Sequence, residues 1–288
     1  MRRISAKVKI ISIILLVVSI IAMITTYIVN DNIREFIDTK ILKKEISDDS
    51  VKNIYTNSSV IQTMTLAKNI VTLSSGELKV YDFEGNAKNT IKMKIGNPIY
   101  DVEDKYLGIA DKNVTKIYLI EDDKLVWEKT LDVTVEKIEV NKNGYMAVVT
   151  KDSVYKSVVL VYSNKGELLL KSYVSNGYVI DTEISPDNKY LVIGEVDYSK
   201  TYIESTVKVI DIQKAIKSEE GSVVNTFVKD KLLVNLKIKE NLSIIGQYSD
   251  CVVNIGYNKN ENKEIYKLSN VYMADIENTR YSFVIKKE

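Results

Sequence analysis

The sequence predicts an all-β fold, a β-propeller of four-stranded antiparallel blades, preceded by one N-terminal transmembrane helix. Three observations carry this expectation. Residues Ile10 to Val29 form a run of twenty without a charge. Past Ser50, short β-branched runs alternate with clusters of Asn, Asp, Gly and Lys, the pattern of many short strands. Those runs recur as a strand-turn-strand unit at the spacing of a propeller blade.

Along the chain, residues 1–9 read as a cytoplasmic tail, 10–29 as the membrane helix, 30–50 as a juxtamembrane stalk and 51–288 as the propeller. Twenty helical residues at about 1.5 Å each span roughly 30 Å, the thickness of the hydrocarbon core. Thirteen of them are Ile, Leu or Val, which together favour the bilayer by roughly 4–8 kcal/mol. Ser12, Ser19, Thr25 and Thr26 offset only part of this. A cleaved signal peptide is the rival reading, but the run exceeds the usual apolar length and "TTYIVNDN" holds no Ala-x-Ala site. Arg2, Arg3, Lys7 and Lys9 precede the run, so the positive-inside bias puts that end in the cytoplasm and everything after Asn30 outside. Lys40, Lys43 and Lys44, beyond the run, weaken that bias slightly. In the stalk, Ile33, Phe36, Ile37, Ile41 and Ile46 fall near helical spacing, an amphipathic segment whose apolar face is open to docking on the following domain, to the membrane interface or to a partner helix, with docking the expectation.

The repeated units are "NIVTLSSGELKVYDFEGN", "YLGIADKNVTKIYLIEDDKLVWEKTL", "YMAVVTKDSVYKSVVLVYSNKGELLLKSYV", "YLVIGEVDYSKTYIESTVKVIDIQKA" and "SIIGQYSDCVVNIGYNKNENKEIYKL", with a last "YSFVIKKE". With Ile70, Leu107, Met146, Leu191, Ile244 and Ser282 as markers, the steps are 37, 39, 45, 53 and 38 residues. Blades of four strands run about 40–50 residues, whereas a β-solenoid coil is much shorter. Runs such as "SVVLVYS" from Ser157 are apolar at successive positions, as strands covered on both faces by stacked blades require. A two-sheet sandwich is the competing architecture.

The turn "SPDNKYLV" from Ser185 occupies the place of "VNKNGYMAV" from Val140. Pro186 presets one φ angle, Asp187 and Asn188 can bond their own backbone, and Gly144 tolerates positive φ in the sister copy. The turn resembles the Ser-Pro-Asp-Gly-Lys-Tyr-Leu turn of WD40-like β-propellers, with Asn188 where glycine is usual. "VYDFEGN" at Val80, "LIEDDKLVWEKTL" at Leu119 and "LVYSNKGELL" at Leu160 are similar to the end of a PQQ-like propeller repeat. With the N-terminal anchor, the chain resembles an uncharacterised family of bacterial membrane-anchored PQQ-like/WD40-like β-propeller proteins, from about Val60 to Glu288. These motifs are structural, so the resemblance implies a blade fold and carries over no catalytic or ligand-binding residue.

Five units are complete and the sixth stops after its first strands, about five and a half blades. A closed ring needs its last blade finished. Either the segment from Ser58 to Leu66 supplies a closing strand, or the chain is a fragment. The second is the expectation here, because an open end exposes an apolar face and a free strand edge.

Composition excludes several chemistries. The formal charge is +1, but the basic tail leaves 36 basic against 39 acidic residues in the remainder, with no basic footprint for nucleic acid. The absence of histidine removes Ser-His-Asp hydrolysis and most zinc and iron sites. The single cysteine, Cys251, forbids an intrachain disulfide and reads as a small buried hydrophobe in "SDCVVNIGY". Of four arginines only Arg280 lies in the repeats, too few for the cluster by which a propeller sialidase grips a carboxylate. "EDD" at Glu121 and "SDDS" at Ser47 lack calcium-loop spacing.

Paired carboxylates remain, the device of glycoside hydrolysis. Asp101, Asp181 and Asp275 recur in "YDVED", "IDTEI" and "ADIEN", a repetition that reads first as a structural turn and only second as a shared acidic site. Tyr106, Tyr145, Tyr190 and Tyr281 begin strands and read as blade packing, with Trp127 an anchor of the same kind.

The expected protein is non-catalytic, with no catalytic, cofactor-binding or metal residue to name and no cofactor. Its propeller is an interaction platform for a protein or glycan in the bacterial cell envelope. The expected partners are the membrane and a protein or cell-wall component, not nucleic acid. The alternative is a surface glycan hydrolase working through paired carboxylates.

Overall fold

The computed structural model describes residues 6–30, 33, 37, 54, 59–112, 115–257, 261–268, 271–276 and 281–285, with side chains between Leu15 and Leu268. The chain falls into two compact units, Met1–Ile54 and Tyr55–Glu288. In the first, α1 (Ala6–Val29) is a helix of 24 residues. The hydroxyls of Thr25 and Thr26 donate to the carbonyls of Ile21 and Ala22, each at 2.8 Å, so the helix satisfies these polar groups itself. Among the described residues no helix is long and apolar enough to cross a membrane. Most of the stalk, including Phe36, Ile41 and Ile46, lies outside the described residues.

The second unit is a series of antiparallel meanders, each strand pairing with its neighbour in sequence. The first sheet is β1 (Val60–Leu66), β2 (Asn69–Ser74), β3 (Glu77–Asp82) and β4 (Ala87–Lys92). The second is β5 (Pro98–Glu103), β6 (Tyr106–Asp111), β7 (Lys116–Glu121) and β8 (Lys124–Thr130). The third is β9 (Val135–Val140), β10 (Met146–Thr150), β11 (Ser157–Tyr162) and β12 (Leu168–Val174). The fourth is β13 (Tyr178–Ile184), β14 (Tyr190–Asp197), β15 (Glu204–Asp211) and β16 (Val223–Lys229), with the short α2 (Ile212–Ile216) before β16. The fifth is β17 (Leu233–Ile238), β18 (Ile244–Tyr248), β19 (Cys251–Ile255) and β20 (Lys263–Lys267). Among the described residues, β21 (Val271–Ile276) and β22 (Tyr281–Ile285) form a two-stranded sixth sheet.

The unbroken apolar runs are the middle strands. β6, β10, β11 and β18 are buried at every position; neighbouring sheets cover both faces of β6, β10 and β11 and one face of β18. Leu73 and Leu78 of the first sheet share a core with Leu107 and Ile120 of the second. Leu119 of the second packs with Val148 and Leu160 of the third, and Val149 and Val161 with Leu191 and Ile210 of the fourth. Val192 and Val209 continue the series to Leu236 and Val253 of the fifth. Successive sheets thus stack face to face, where a two-layer sandwich would share one core.

The repeat phase differs from the expected one. The apolar strands that open each unit of the sequence pattern, such as β6 and β14, are the second strands of their blades. The first strands, β5, β9, β13 and β17, each carry charge among their apolar residues and are hidden from an apolar pattern. Val60–Leu66 pairs with β2, so it opens the first blade and does not close the sixth. The turn from Ser185 joins β13 to β14 within one blade. Asn188 has φ 59° and Gly144 has φ 77°, equivalent left-handed positions.

Candidate functional site

Two places in the second unit concentrate polar chemistry. The first is where the first strands converge: β5 lies against β9, β9 against β13, and β13 against β17. Strand periodicity puts Asp101 and Glu103 on one face of β5, Lys137 and Glu139 on one face of β9, and Asp181 and Glu183 on one face of β13. Lys137 Nζ lies 2.7 Å from Asp181 and 3.0 Å from Glu139. Lys237 of β17 lies 3.1 Å from Glu183 and 4.0 Å from Glu103, so one ammonium reaches the second and fourth blades.

Asp101 and Asp181 do not sit in turns. Each accepts a backbone N–H from the next first strand, Asp101 from Val140 at 2.7 Å and Asp181 from Leu236 at 2.8 Å. They are rivets between blades, which is why the sequence repeats them. Asp275 lies in β21, and its side chain is outside the described residues.

Five carboxyl groups around two ammonium groups cannot all ionise cheaply out of water. Burial, with Asp101 nearby, pushes the Glu139 carboxyl up to about 9. Burial likewise pushes Glu183 up to about 8 against the pull of Lys237, and it raises Glu103. Burial alone would lower Lys137 and Lys237, but the carboxylates around each together outweigh it, Asp181 with Glu139 for the first and Glu183 with Glu103 and Asp101 for the second, and hold both above the usual lysine range. Protonated and hydrogen-bonded carboxyl groups side by side are the raw material of acid-base catalysis. The adjoining void, lined by Glu103, Glu183, Lys237 and Glu240, measures about 20 Å³, room for one water and not for a sugar ring. Among the described residues no group of His, Cys, Asp or Glu is arranged to hold a metal ion. Cys251 is buried and its thiol is pushed up to about 11, chiefly by burial.

The second place is one rim. In antiparallel meanders the second-to-third and fourth-to-first connections leave from the same edge, here residues 151–156, 175–177, 198–203 and 230–232. This edge carries a row of tyrosines. The rings of Tyr173 and Tyr155 lie 4.7 Å apart, Lys156 Nζ sits 5.2 Å over the Tyr178 ring, and Tyr178 stacks on Tyr198 at 5.3 Å with an interplanar angle of 2°. Tyr202 follows, with Lys200 Nζ 5.9 Å over its ring. Among the described residues none of these five hydroxyls has a hydrogen-bond partner. Aliphatic side chains flank the row: Val154 is 81% exposed, and Ile203, Leu232 and Val234 are exposed too.

The strand-opening tyrosines behave differently. Tyr106 donates to Glu121 at 3.2 Å, and Tyr190 packs on Tyr257 at 4.5 Å. Trp127 packs on Tyr162 at 5.8 Å, with its indole N–H buried and unpaired. Apart from Tyr178, which opens β13, the rim tyrosines escape a search for strand-opening residues, because Tyr155, Tyr198 and Tyr202 stand in loops and Tyr173 near the end of β12. Their signal is the recurrence of Tyr among Ser, Lys, Asn and Gly in "SVYK", "SYVSNGY" and "YSKTYI".

Residues 42–283 match the family described as "Family of unknown function (DUF5711)". The chain belongs to that family. Among solved structures it is similar to the WD40 domain of Pan2 from Neurospora crassa, with 13% identity and a TM-score of 0.52 over 76% of this chain and 69% of that one. It is similar also to Hsv2 from Kluyveromyces lactis, with 15% identity and a TM-score of 0.52 over 79% of this chain and 77% of that one. Hydrazine synthase from Kuenenia stuttgartiensis gives 14% identity and a TM-score of 0.51 over 78% of this chain and 69% of that one. At such identities the likeness carries the β-propeller fold and none of the chemistry. No curated protein matches the chain.

Proposed function

We propose that this protein is a membrane-anchored, extracytoplasmic β-propeller of the bacterial cell envelope that docks another protein on its tyrosine rim and catalyses no reaction itself. The observation that carries the reading is the row from Tyr173 to Tyr202 on adjoining blades, in which Tyr173, Tyr198 and Tyr202 are exposed, Tyr155 and Tyr178 are half-buried behind them, and no hydroxyl is partnered among the described residues. Tyrosine among Ser, Asn, Gly and Lys is the composition of adaptable protein-binding loops. The aliphatic Val154, Ile203, Leu232 and Val234 suit a protein better than a glycan.

The anchor reading takes Ile10–Val29 through the bilayer. It is supported by the basic tail, by the twenty uncharged residues, and by α1 side chains such as Leu15, Val18, Ile21 and Met23, which stand exposed. The hydroxyls of Thr25 and Thr26, satisfied within the helix, suit a medium without water. The segments from Val80, Leu119 and Leu160 support blades of PQQ-like type.

Two measurements test this. The chain should resist alkaline extraction from membranes, and protease added to intact spheroplasts should remove the propeller; release by alkali or protection from protease ends the anchor reading. Full-length protein cross-linked in cells should capture a partner that Tyr198→Ala with Tyr202→Ala loses. Equal capture by both ends the docking reading.

A surface glycan hydrolase is the second reading, supported by Glu139 and Glu183 near Asp101 and Asp181. It predicts reducing ends released from envelope glycans and abolished by Glu139→Gln. The small void beside these groups speaks against it.

A further inference from the structure

A cavity of about 290 Å³ opens where the loop between β8 and β9 meets β10, β11 and β12. Its volume is at the small end for ligand sites, the size of a single residue. Leu131, Val158 and Leu160 make an aliphatic floor, Tyr162 and Tyr173 supply aromatic walls, and Asp132 and Asp152 add carboxylates. Tyr173 belongs also to the rim row, so the cavity continues that surface.

The two carboxylates differ usefully. Asp152 Oδ1 accepts the backbone N–H groups of Val154 and Tyr155 at 2.8 and 2.9 Å. These bonds orient the group, keep its carboxyl below the usual range, and leave the second oxygen open. Asp132 has no hydrogen bond or ion pair among the described residues. Lys171 also lines the cavity and forms no ion pair there. Two negative charges against one positive leave room for one more cation.

The geometry points to a cavity that seats one lysine or arginine side chain of the docked protein, its stem on the aliphatic floor and its head between Asp132, Asp152 and the Tyr173 ring. Apolar stem and charged head are the two halves of such a side chain, and an aromatic face beside carboxylates favours the cation further. This rests on the docking reading of the rim and adds the chemistry of the anchor residue.

The chain's single tryptophan, Trp127, packs on the Tyr162 wall and reports occupancy. Detergent-solubilised full-length protein is titrated with acetyl-Gly-Lys-Gly-amide while its fluorescence is followed. A saturable change is expected, about fivefold weaker for each of Asp132→Asn and Asp152→Asn, and tighter in Lys171→Gln. Acetyl-Gly-Gln-Gly-amide should give no change. No response, or equal responses to the two peptides, overturns the inference. Butylammonium binding as tightly as the lysine peptide overturns it too, assigning the cavity to free amines. Asp152→Asn keeps an acceptor for its turn; if it nonetheless unfolds, Asp132→Asn alone decides. Loss of capture in the Tyr198 and Tyr202 variants, with no lysine response, would remove this inference and leave the docking rim standing.

Discussion

Asn188 Oδ1 accepts a hydrogen bond from Asn141 Nδ2 at 2.7 Å, tying the first turn of the fourth blade to that of the third. Asn143 Nδ2 reaches the same oxygen at 3.1 Å and the Pro186 carbonyl at 2.7 Å. The position usually held by glycine in this turn therefore holds asparagine for a reason. Asparagine tolerates φ 59° and also supplies the acceptor that links two blades.

Two substitutions separate those roles. Asn188→Gly keeps the backbone conformation and loses the side-chain acceptor, while Asn141 and Asn143 Nδ2 keep the Ser185 and Pro186 carbonyls, at a cost of about 1 kcal/mol. Asn188→Ala loses both and should cost roughly 1 kcal/mol more. Urea unfolding midpoints should rank wild type, glycine, alanine. A glycine variant as stable as wild type would show that the Asn188 side-chain acceptor contributes nothing.

The charged centre makes stability depend on pH. Glu139 and Glu183 titrate at about 9 and about 8 in the folded protein against an ordinary 4.5. The folded chain therefore holds more protons than the unfolded one between these values. Stability is greatest at the acid end of that window and falls as pH rises towards 9. Carboxyl groups held low, such as Asp82 and Asp197, act only below the window. Urea midpoints taken across it should decline with pH, and Glu139→Gln should flatten the slope. A midpoint that climbs with pH contradicts the assignment.

Packing between blades is tight at Gly194, where an added Cβ would fall on Leu233 Cδ2 of the next blade. Gly194→Ala should cost about 1–3 kcal/mol by overpacking. A methyl added at Gly76 would meet nothing within 4 Å, so Gly76→Ala is the near-neutral control. Thermal denaturation of the two variants checks the contrast.

Tyrosines divide by place. Tyr118 is 2% exposed and sits in a core between blades, so Tyr118→Ala should cost about 3–5 kcal/mol. Tyr198 is 58% exposed, and Tyr198→Ala should change stability by less than about 0.5 kcal/mol. Only the second should impair partner capture at unchanged folding, read by calorimetry alongside cross-linking.

Much of the fold was legible because its signals are local. Leu107, Met146, Leu191 and Ile244 head buried second strands, and the turns at Gly144 and Asn188 need their left-handed residues whatever surrounds them. The first strands were not legible, since Asp101, Glu103, Lys137 and Glu139 read as surface charge to any test that asks where apolar residues fall. Asp101 and Asp181 were visible as a repetition, but their meaning was not. Each bonds the backbone of a different blade, 39 and 55 residues further along.

The amino-acid order alone determined the short strands, the turns between them, the blade-sized interval and the uncharged N-terminal run, because propensity, periodicity and charge act over a few neighbouring residues. Tertiary structure decided which strands meet at the centre, which carboxyl groups keep their protons and which tyrosines share a rim. Those outcomes depend on burial and on distances between residues of different blades, and such quantities come into being only when the sheets stack.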